Sequence, residues 1–68
     1  SVNISGQLAI VKTRPGYASA IAYDIDNLDS PYILGSIAGD DTIFIALRES
    51  STRGQVLDAL SYVIPEIG

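Results

Sequence analysis

Residues 35–44 read Gly35-Ser36-Ile37-Ala38-Gly39-Asp40-Asp41-Thr42-Ile43-Phe44, and this stretch decides the fold. Two apolar runs flank the Gly-Asp-Asp centre, which predicts a β-hairpin. Gly and Asp both tolerate the positive φ of a tight turn, so we expect Gly39 and Asp40 to make the reversal. A turn does not need the second aspartate. Because adjacent carboxylates repel each other, the pair needs a cationic ligand, a metal ion or plain solvent around it.

The composition predicts one small domain that associates with copies of itself. The chain has 68 residues, which is one domain over residues 1–68, and it contains no cysteine and no histidine. Disulfides and thiolate or imidazole zinc sites therefore cannot stabilise it. Hydrophobic residues nevertheless make up 47% of the chain. Small domains without cross-links commonly gain burial by oligomerising, so we interpret the excess apolar surface as subunit interface.

The charge balance is acidic, with 4 basic against 8 acidic residues and a net charge of −4. Nucleic-acid-binding surfaces carry basic patches, so we expect no DNA contact from this segment itself. No apolar run approaches the ~20 residues of a membrane span, and no signal-peptide pattern opens the chain. We therefore expect no membrane partner. The absence of cysteine favours a cytoplasmic protein.

Hydrophobic periodicity predicts the element order β-β-α-β-β-α. Strands are expected around Val2–Ile4, from Leu8 to near Thr13, from Tyr32 to near Ala38, and over Thr42–Leu47. The first helix is expected over Gly16 to Leu28 with Pro15 at its start, and the second follows a cap at Ser50, Ser51 or Thr52. The buried stripe of the second helix should be Val56, Leu57, Leu60, Val63 and Ile64, with Pro65 ending the helix.

This order predicts an α+β fold, a two-layer α/β sandwich. Both helices cover one face of a four-stranded, mainly antiparallel sheet, and the other face is left without a cover. On the fourth strand Ile43 and Ile45 point one way, whereas Phe44 and Ala46 point the other. Because both sets are apolar, one should pack under the helices and the other against a second subunit.

Three further aspartates, Asp24, Asp26 and Asp29, are predicted in the C-terminal half of the first helix, where the macrodipole disfavours anions. One explanation is a solvated acidic surface. The alternative is that one of them supplies a third carboxylate to a site shared with Asp40 and Asp41. Asp40 and Asp41 could instead hold Mg²⁺. The chain has no Gly-rich phosphate loop, however, and without His or Cys an enzyme has few catalytic groups available.

The stretch Gly35–Phe44 closely resembles the signature of the C-terminal domain of bacterial arginine repressors. Two preceding segments, Lys12-Thr13-Arg14-Pro15-Gly16 and Ile25-Asp26-Asn27-Leu28, are also similar to that family. The resemblance implies a homotrimer that pairs into a dimer of trimers and binds L-arginine, the co-repressor, between the trimers, with no other cofactor. It also implies a winged helix-turn-helix domain N-terminal to these residues, through which the full protein contacts operator DNA.

The resemblance implies ligand contacts at Asp40, Asp41, Asp26, Ser36 and Ala38. The family often has Gln at the position of Ser19, so the shorter Ser19 would reach the ligand through water. The chemistry of the pair agrees with this assignment, because a carboxylate can bind the planar fork of a guanidinium bidentately.

Three functional hypotheses follow. The first is a non-enzymatic arginine sensor and hexamerisation domain of a transcriptional repressor of arginine biosynthesis genes. The second is a purely structural oligomerisation module whose acidic turn is solvated. The third is a small Mg²⁺-dependent enzyme.

Overall fold

A computed structural model describes residues 1–65, and within them the predicted order β-β-α-β-β-α is confirmed. The strands are β1 Val2–Ser5, β2 Leu8–Lys12, β3 Ile33–Ala38 and β4 Thr42–Leu47, and the helices are α1 Ala18–Asp26 and α2 Arg53–Leu60. Neither helix has the length and apolar character needed to cross a membrane. The single-domain prediction also included residues 66–68, which lie outside the described residues.

The sheet has the strand order β1-β2-β4-β3, and all neighbouring strands pair antiparallel. Since β4 lies between β2 and β3, these two strands run parallel to each other and α1 connects them. Lys12 at the end of β2 pairs with Thr42 at the start of β4. The β2–α1 connection, residues 13–17, and the β3–β4 loop, residues 39–41, therefore meet at the same end of the sheet.

One face of the sheet carries the core. Ile43 and Ile45 of β4 are fully buried there, beneath Ile25 of α1 and Leu60 of α2. The full cluster comprises Ala9, Val11, Ala18, Ala22, Ile25, Ile43, Ile45, Leu47, Val56 and Leu60. Because both helices contribute to this single cluster, the two-layer prediction with the helices on one side is confirmed.

The opposite face of the sheet, here called the outer face, carries Leu8, Leu34, Ile37, Phe44 and Ala46. Ile37 is 79% exposed and Phe44 is 52% exposed, although the two are direct partners across β3 and β4. A register shift in β3 adds Leu34 to this surface. The alternation predicted for β4, buried on one side and exposed on the other, is confirmed.

The first helix is shorter than predicted at both ends. It begins at Ala18, because Gly16 has φ +84 and so cannot belong to a right-handed helix. Pro15 therefore lies in the connection, and the prediction that it starts the helix is wrong. The helix ends at Asp26, and Asp29, with φ +52, lies outside it. The prediction that Asp29 belongs to the helix is wrong as well.

The N-cap of the second helix is Thr52, one of the three predicted candidates. Thr52 accepts a hydrogen bond from the Gln55 backbone N–H at 3.1 Å, and the Gln55 side chain accepts one from the Thr52 N–H at 3.0 Å. This reciprocal capping box satisfies two backbone donors that a helix start otherwise leaves unpaired.

The end of the second helix differs from the prediction. The helix stops at Leu60, and Tyr62 and Val63 follow in tight turns bonded to Ala59 and Leu60. Pro65 therefore does not end it. Val63 and Ile64 still pack on the core, although they lie outside the helix. Their apolar spacing therefore predicted correctly that they pack on the core, but not that they are helical.

Candidate functional site

The Gly-Asp-Asp centre forms the loop between β3 and β4. The Gly39 N–H donates to the Thr42 carbonyl at 2.7 Å and closes this turn. Neither Gly39 nor Asp40 has a positive φ, so the prediction that the turn uses left-handed backbone is wrong. The loop reverses the chain over residues 39–41 with the hydrogen bond from Gly39 to Thr42 and without a left-handed residue.

Backbone hydrogen bonds from the β2–α1 connection hold the loop in place. The Thr13 N–H donates to the Asp41 carbonyl at 2.8 Å, and the N–H groups of Gly16 and Ala18 donate to the Asp40 carbonyl at 2.9 and 3.4 Å. We call these three bonds the clamp. Because the clamp uses only backbone atoms, it places both aspartates without engaging either carboxylate. Asp40 remains exposed and Asp41 is half-buried.

Two features of the fold partly offset the repulsion between the carboxylates. The clamp sets the N-terminus of α1 against the loop, and unpaired N–H groups give a helix N-terminus a partial positive charge. In addition, Asp41 Oδ1 accepts a hydrogen bond from Thr42 Oγ1 at 2.9 Å, and Thr42 Oγ1 accepts one from Lys12 Nζ at 2.8 Å. The N-terminus of α1 and Lys12 do not bond either carboxylate directly. The two carboxylates can therefore still bind a cation.

A second polar pair joins α1 to β3. Ser36 Oγ donates to Asp26 Oδ1 at 2.8 Å, which offsets the unfavourable position of an anion at the last residue of a helix. The pair lines an open cleft of about 370 Å³ together with Asp29 and Ser30. The structure therefore brings together two of the residues that the family resemblance selects.

The six predicted contact residues fall into two groups within one chain. Asp40, Asp41, Ala38 and Ser19 lie at the N-terminal end of α1, and Asp26 and Ser36 lie at its C-terminal end. Ala38 is half-buried at the end of β3, and Ser19 is exposed in the first turn of α1. The two ends of α1 are about 13 Å apart, but Ser36 and Ala38 are only two residues apart on β3, about 7 Å.

That one of the helix aspartates shares a ligand site with Asp40 and Asp41 stays a prediction. No three side chains of His, Cys, Asp or Glu converge to hold a metal ion in the part of the chain that the structure describes. Asp26 instead pairs with Ser36, and Asp29 lies beyond the helix.

Sequence reasoning missed Lys12 and Thr42 as neighbours of the acidic pair. Thr42 follows Asp41 directly in the chain, so its proximity could have been noticed. Lys12 reaches this place only through the pairing of β2 with β4. No local pattern gives that register, because it depends on which strand lies next to which.

Known proteins resemble this chain over almost its whole length. Residues 1–62 match the family model described as arginine repressor, C-terminal domain. A protein of Phocaeicola vulgatus named arginine repressor is 58% identical over 67 residues, which are 98% of this chain and 42% of that protein. The arginine repressor of Bacteroides fragilis is 58% identical over 67 residues, 98% of this chain and 43% of its own. The arginine repressor of Thermotoga maritima is 44% identical over 64 residues, 94% of this chain and 42% of its own.

These matches agree with the class of domain that the structure defines, a two-layer α+β domain with an acidic loop and an uncovered apolar sheet face. The chain belongs to the arginine repressor C-terminal domain family. It spans 42–43% of the length of the first relatives it matches. The relatives are named as repressors, which are regulators and not enzymes.

The clamp depends on the left-handed backbone at Gly16. Gly16→Ala should lower the free energy of unfolding by ~1–2 kcal/mol, because its φ of +84 is unfavourable for any Cβ even where no atom lies within 4 Å. Gly54→Ala in α2 is the matched control, with equal free space and no positive φ. It should stabilise the protein by ~0.5–1 kcal/mol. Urea denaturation measures both, and the same sign for the two variants would contradict this account.

Proposed function

We propose that this domain is the arginine-sensing and hexamerisation domain of a transcriptional repressor of arginine biosynthesis genes, and that it is not an enzyme. One observation carries the proposal: backbone bonds hold Asp40 and Asp41 side by side and leave both carboxylates available to a cation. Membership of the arginine repressor C-terminal domain family supports L-arginine as that cation and as co-repressor. Operator DNA is contacted by a part of the protein outside this acidic segment.

The chemistry of arginine fits this acidic loop. A guanidinium presents five N–H donors in a plane and pairs bidentately with carboxylates, which suits two adjacent aspartates better than a compact ammonium does. Asp26 and Ser36 offer a carboxylate and a hydroxyl, a suitable pair for the α-amino group of the same ligand. Ala38 precedes the loop at the end of β3, and Ser19 lies in the first turn of α1, whose N-terminus the clamp sets against the loop.

A site between chains rests on the family membership. Asp26 and Ser36 lie at the C-terminal end of α1 and the acidic loop lies at its N-terminal end, but Ser36 and Ala38 are only two residues apart on β3, about 7 Å. Binding of the ligand between the trimers of a hexamer lets a neighbouring chain add contacts to those of one chain.

The outer face supports self-association. It presents contiguous apolar side chains on a sheet whose other face is already covered, and exposed patches of this kind mark interaction surfaces. In the proposed assembly this face forms the trimer, and the acidic loops lie where two trimers meet.

Phe44→Lys should convert the trimer or hexamer to monomers, because it places a charge at the centre of the outer face. Tyr62→Lys is the matched control, since Tyr62 is an exposed aromatic residue outside that face. Sedimentation equilibrium at micromolar concentration measures both variants beside the wild type. A folded monomeric wild type would refute the proposed architecture.

Asp41→Asn and Asp40→Asn should each weaken L-arginine binding while the fold stays intact. Removing one member of a charge pair buried at an interface costs roughly thirtyfold to several thousandfold in affinity. Asp58→Asn on α2 makes the same charge change away from the loop and should leave binding unchanged. Titration calorimetry decides between the hypotheses: heat with L-arginine supports the sensor, heat with Mg²⁺ alone supports a metal site, and no heat with either supports a structural module.

L-Arginine should tighten trimer–trimer association, because it converts repulsion between the acidic loops of facing trimers into pairing. A ligand that prefers one assembly shifts the equilibrium towards it, here by ~1–3 kcal/mol. Citrulline, which lacks the positive charge, should have little effect. Asp40→Asn should form hexamers more readily without ligand, since it removes one source of repulsion.

Concentration-dependent sedimentation of the wild type and Asp40→Asn, each with and without L-arginine, tests this linkage. A trimer–hexamer constant that does not change with L-arginine would rule out the charge-relief mechanism even where the ligand binds.

A further inference from the structure

A chain of two hydrogen bonds leads from Lys12 to Asp41. Lys12 Nζ lies 2.8 Å from Thr42 Oγ1, which lies 2.9 Å from Asp41 Oδ1. The direction of both bonds follows from the groups involved. An ammonium only donates and an ionised carboxylate only accepts, so the single hydroxyl proton of Thr42 must point to Asp41.

The fold keeps these three residues in register. Lys12 and Thr42 are direct partners across β2 and β4, and the β-branched Thr42 side chain has restricted rotation about χ1. The next residue after Lys12, Thr13, donates its N–H to the Asp41 carbonyl. Thr13 therefore holds the backbone of Asp41, and the neighbouring Lys12 acts on its carboxylate through Thr42.

The two aspartates of the pair differ in this respect. Asp40 is held by its carbonyl, and its side chain is exposed. Asp41 is held at its carbonyl and at Oδ1, and its second carboxylate oxygen is left for a ligand. Asp41 is thus the pre-organised member of the pair, and Asp40 is the adaptable one.

We propose that Lys12, acting through Thr42, is a positioning residue that orients the carboxylate of Asp41 for a guanidinium, an inference that rests on the proposed function. Fixing a carboxylate before the ligand arrives reduces the ordering cost of binding. The ammonium also supplies positive charge near the acidic pair while the site is empty. Since a hydroxyl lies between them, Lys12 does not occupy the ligand position on Asp41.

Matched variants separate this role from a merely structural one. Thr42→Val keeps the shape of the side chain and removes the hydroxyl, whereas Thr42→Ser restores the hydroxyl. Lys12→Met keeps the length of the side chain and removes the charge. Ser61→Ala removes a hydroxyl that donates to the Asp58 carbonyl after α2, on the helix side of the sheet, and is the control.

Titration calorimetry with L-arginine gives the affinities. Thr42→Val should bind about tenfold more weakly than wild type, equal to ~1.4 kcal/mol. The affinity of Lys12→Met should fall about threefold to tenfold, which corresponds to the net free energy of one hydrogen bond. Thr42→Ser should recover most of the lost affinity. Because Lys12 acts through Thr42, the double variant Lys12→Met/Thr42→Val should bind no more weakly than Thr42→Val alone.

Urea denaturation and sedimentation of the same samples establish that each variant is folded and has the wild-type oligomeric state. Wild-type affinity in Thr42→Val, or additive losses in the double variant, would overturn the positioning role while the proposed function stands. A wild type that releases no heat with L-arginine would overturn the proposed function, and the positioning role with it.

Discussion

The clamp between the β2–α1 connection and the β3–β4 loop is the interaction on which the rest of the site depends. Its three hydrogen bonds end on the carbonyl groups of Asp40 and Asp41, so they place the acidic pair without using its charges. The same bonds bring the N-terminus of α1 to the pair. One backbone arrangement therefore sets the position of the carboxylates, part of their electrostatic surroundings and the start of the helix.

The second constraint is the small size of the chain. The helices cover one face of the sheet, and the apolar residues of the outer face, such as Ile37 and Phe44, are left exposed. A domain of this length buries only ~60% of its unfolded surface. Contact with another copy would therefore bury substantially more apolar surface. The proposed assembly covers the outer face and brings the acidic loops of facing trimers together.

Two of the errors in the sequence-based predictions concern the ends of the helices, which side-chain patterns do not fix. Apolar spacing reports which side chains are buried, and it does not report which backbone conformation buries them. Val63 and Ile64 are therefore spaced like helix residues but pack on the core after the helix has ended. In the same way, Pro15 is compatible with a helix start, but the left-handed backbone of Gly16 delays the helix to Ala18.

The sequence by itself determined the order of the elements, the two faces of β4, the acidic loop and three candidate caps for α2, because each follows from local alternation, periodicity or residue type. The family resemblance added Asp26, Ser36, Ala38 and Ser19 to the candidate site. Only the tertiary structure decided that β4 pairs with β2, that Ser36 donates to Asp26, and that Lys12 reaches Asp41 through Thr42. These contacts join residues from separate strands, helices and loops. Strand register and packing bring these residues together, and no local sequence pattern encodes either of them.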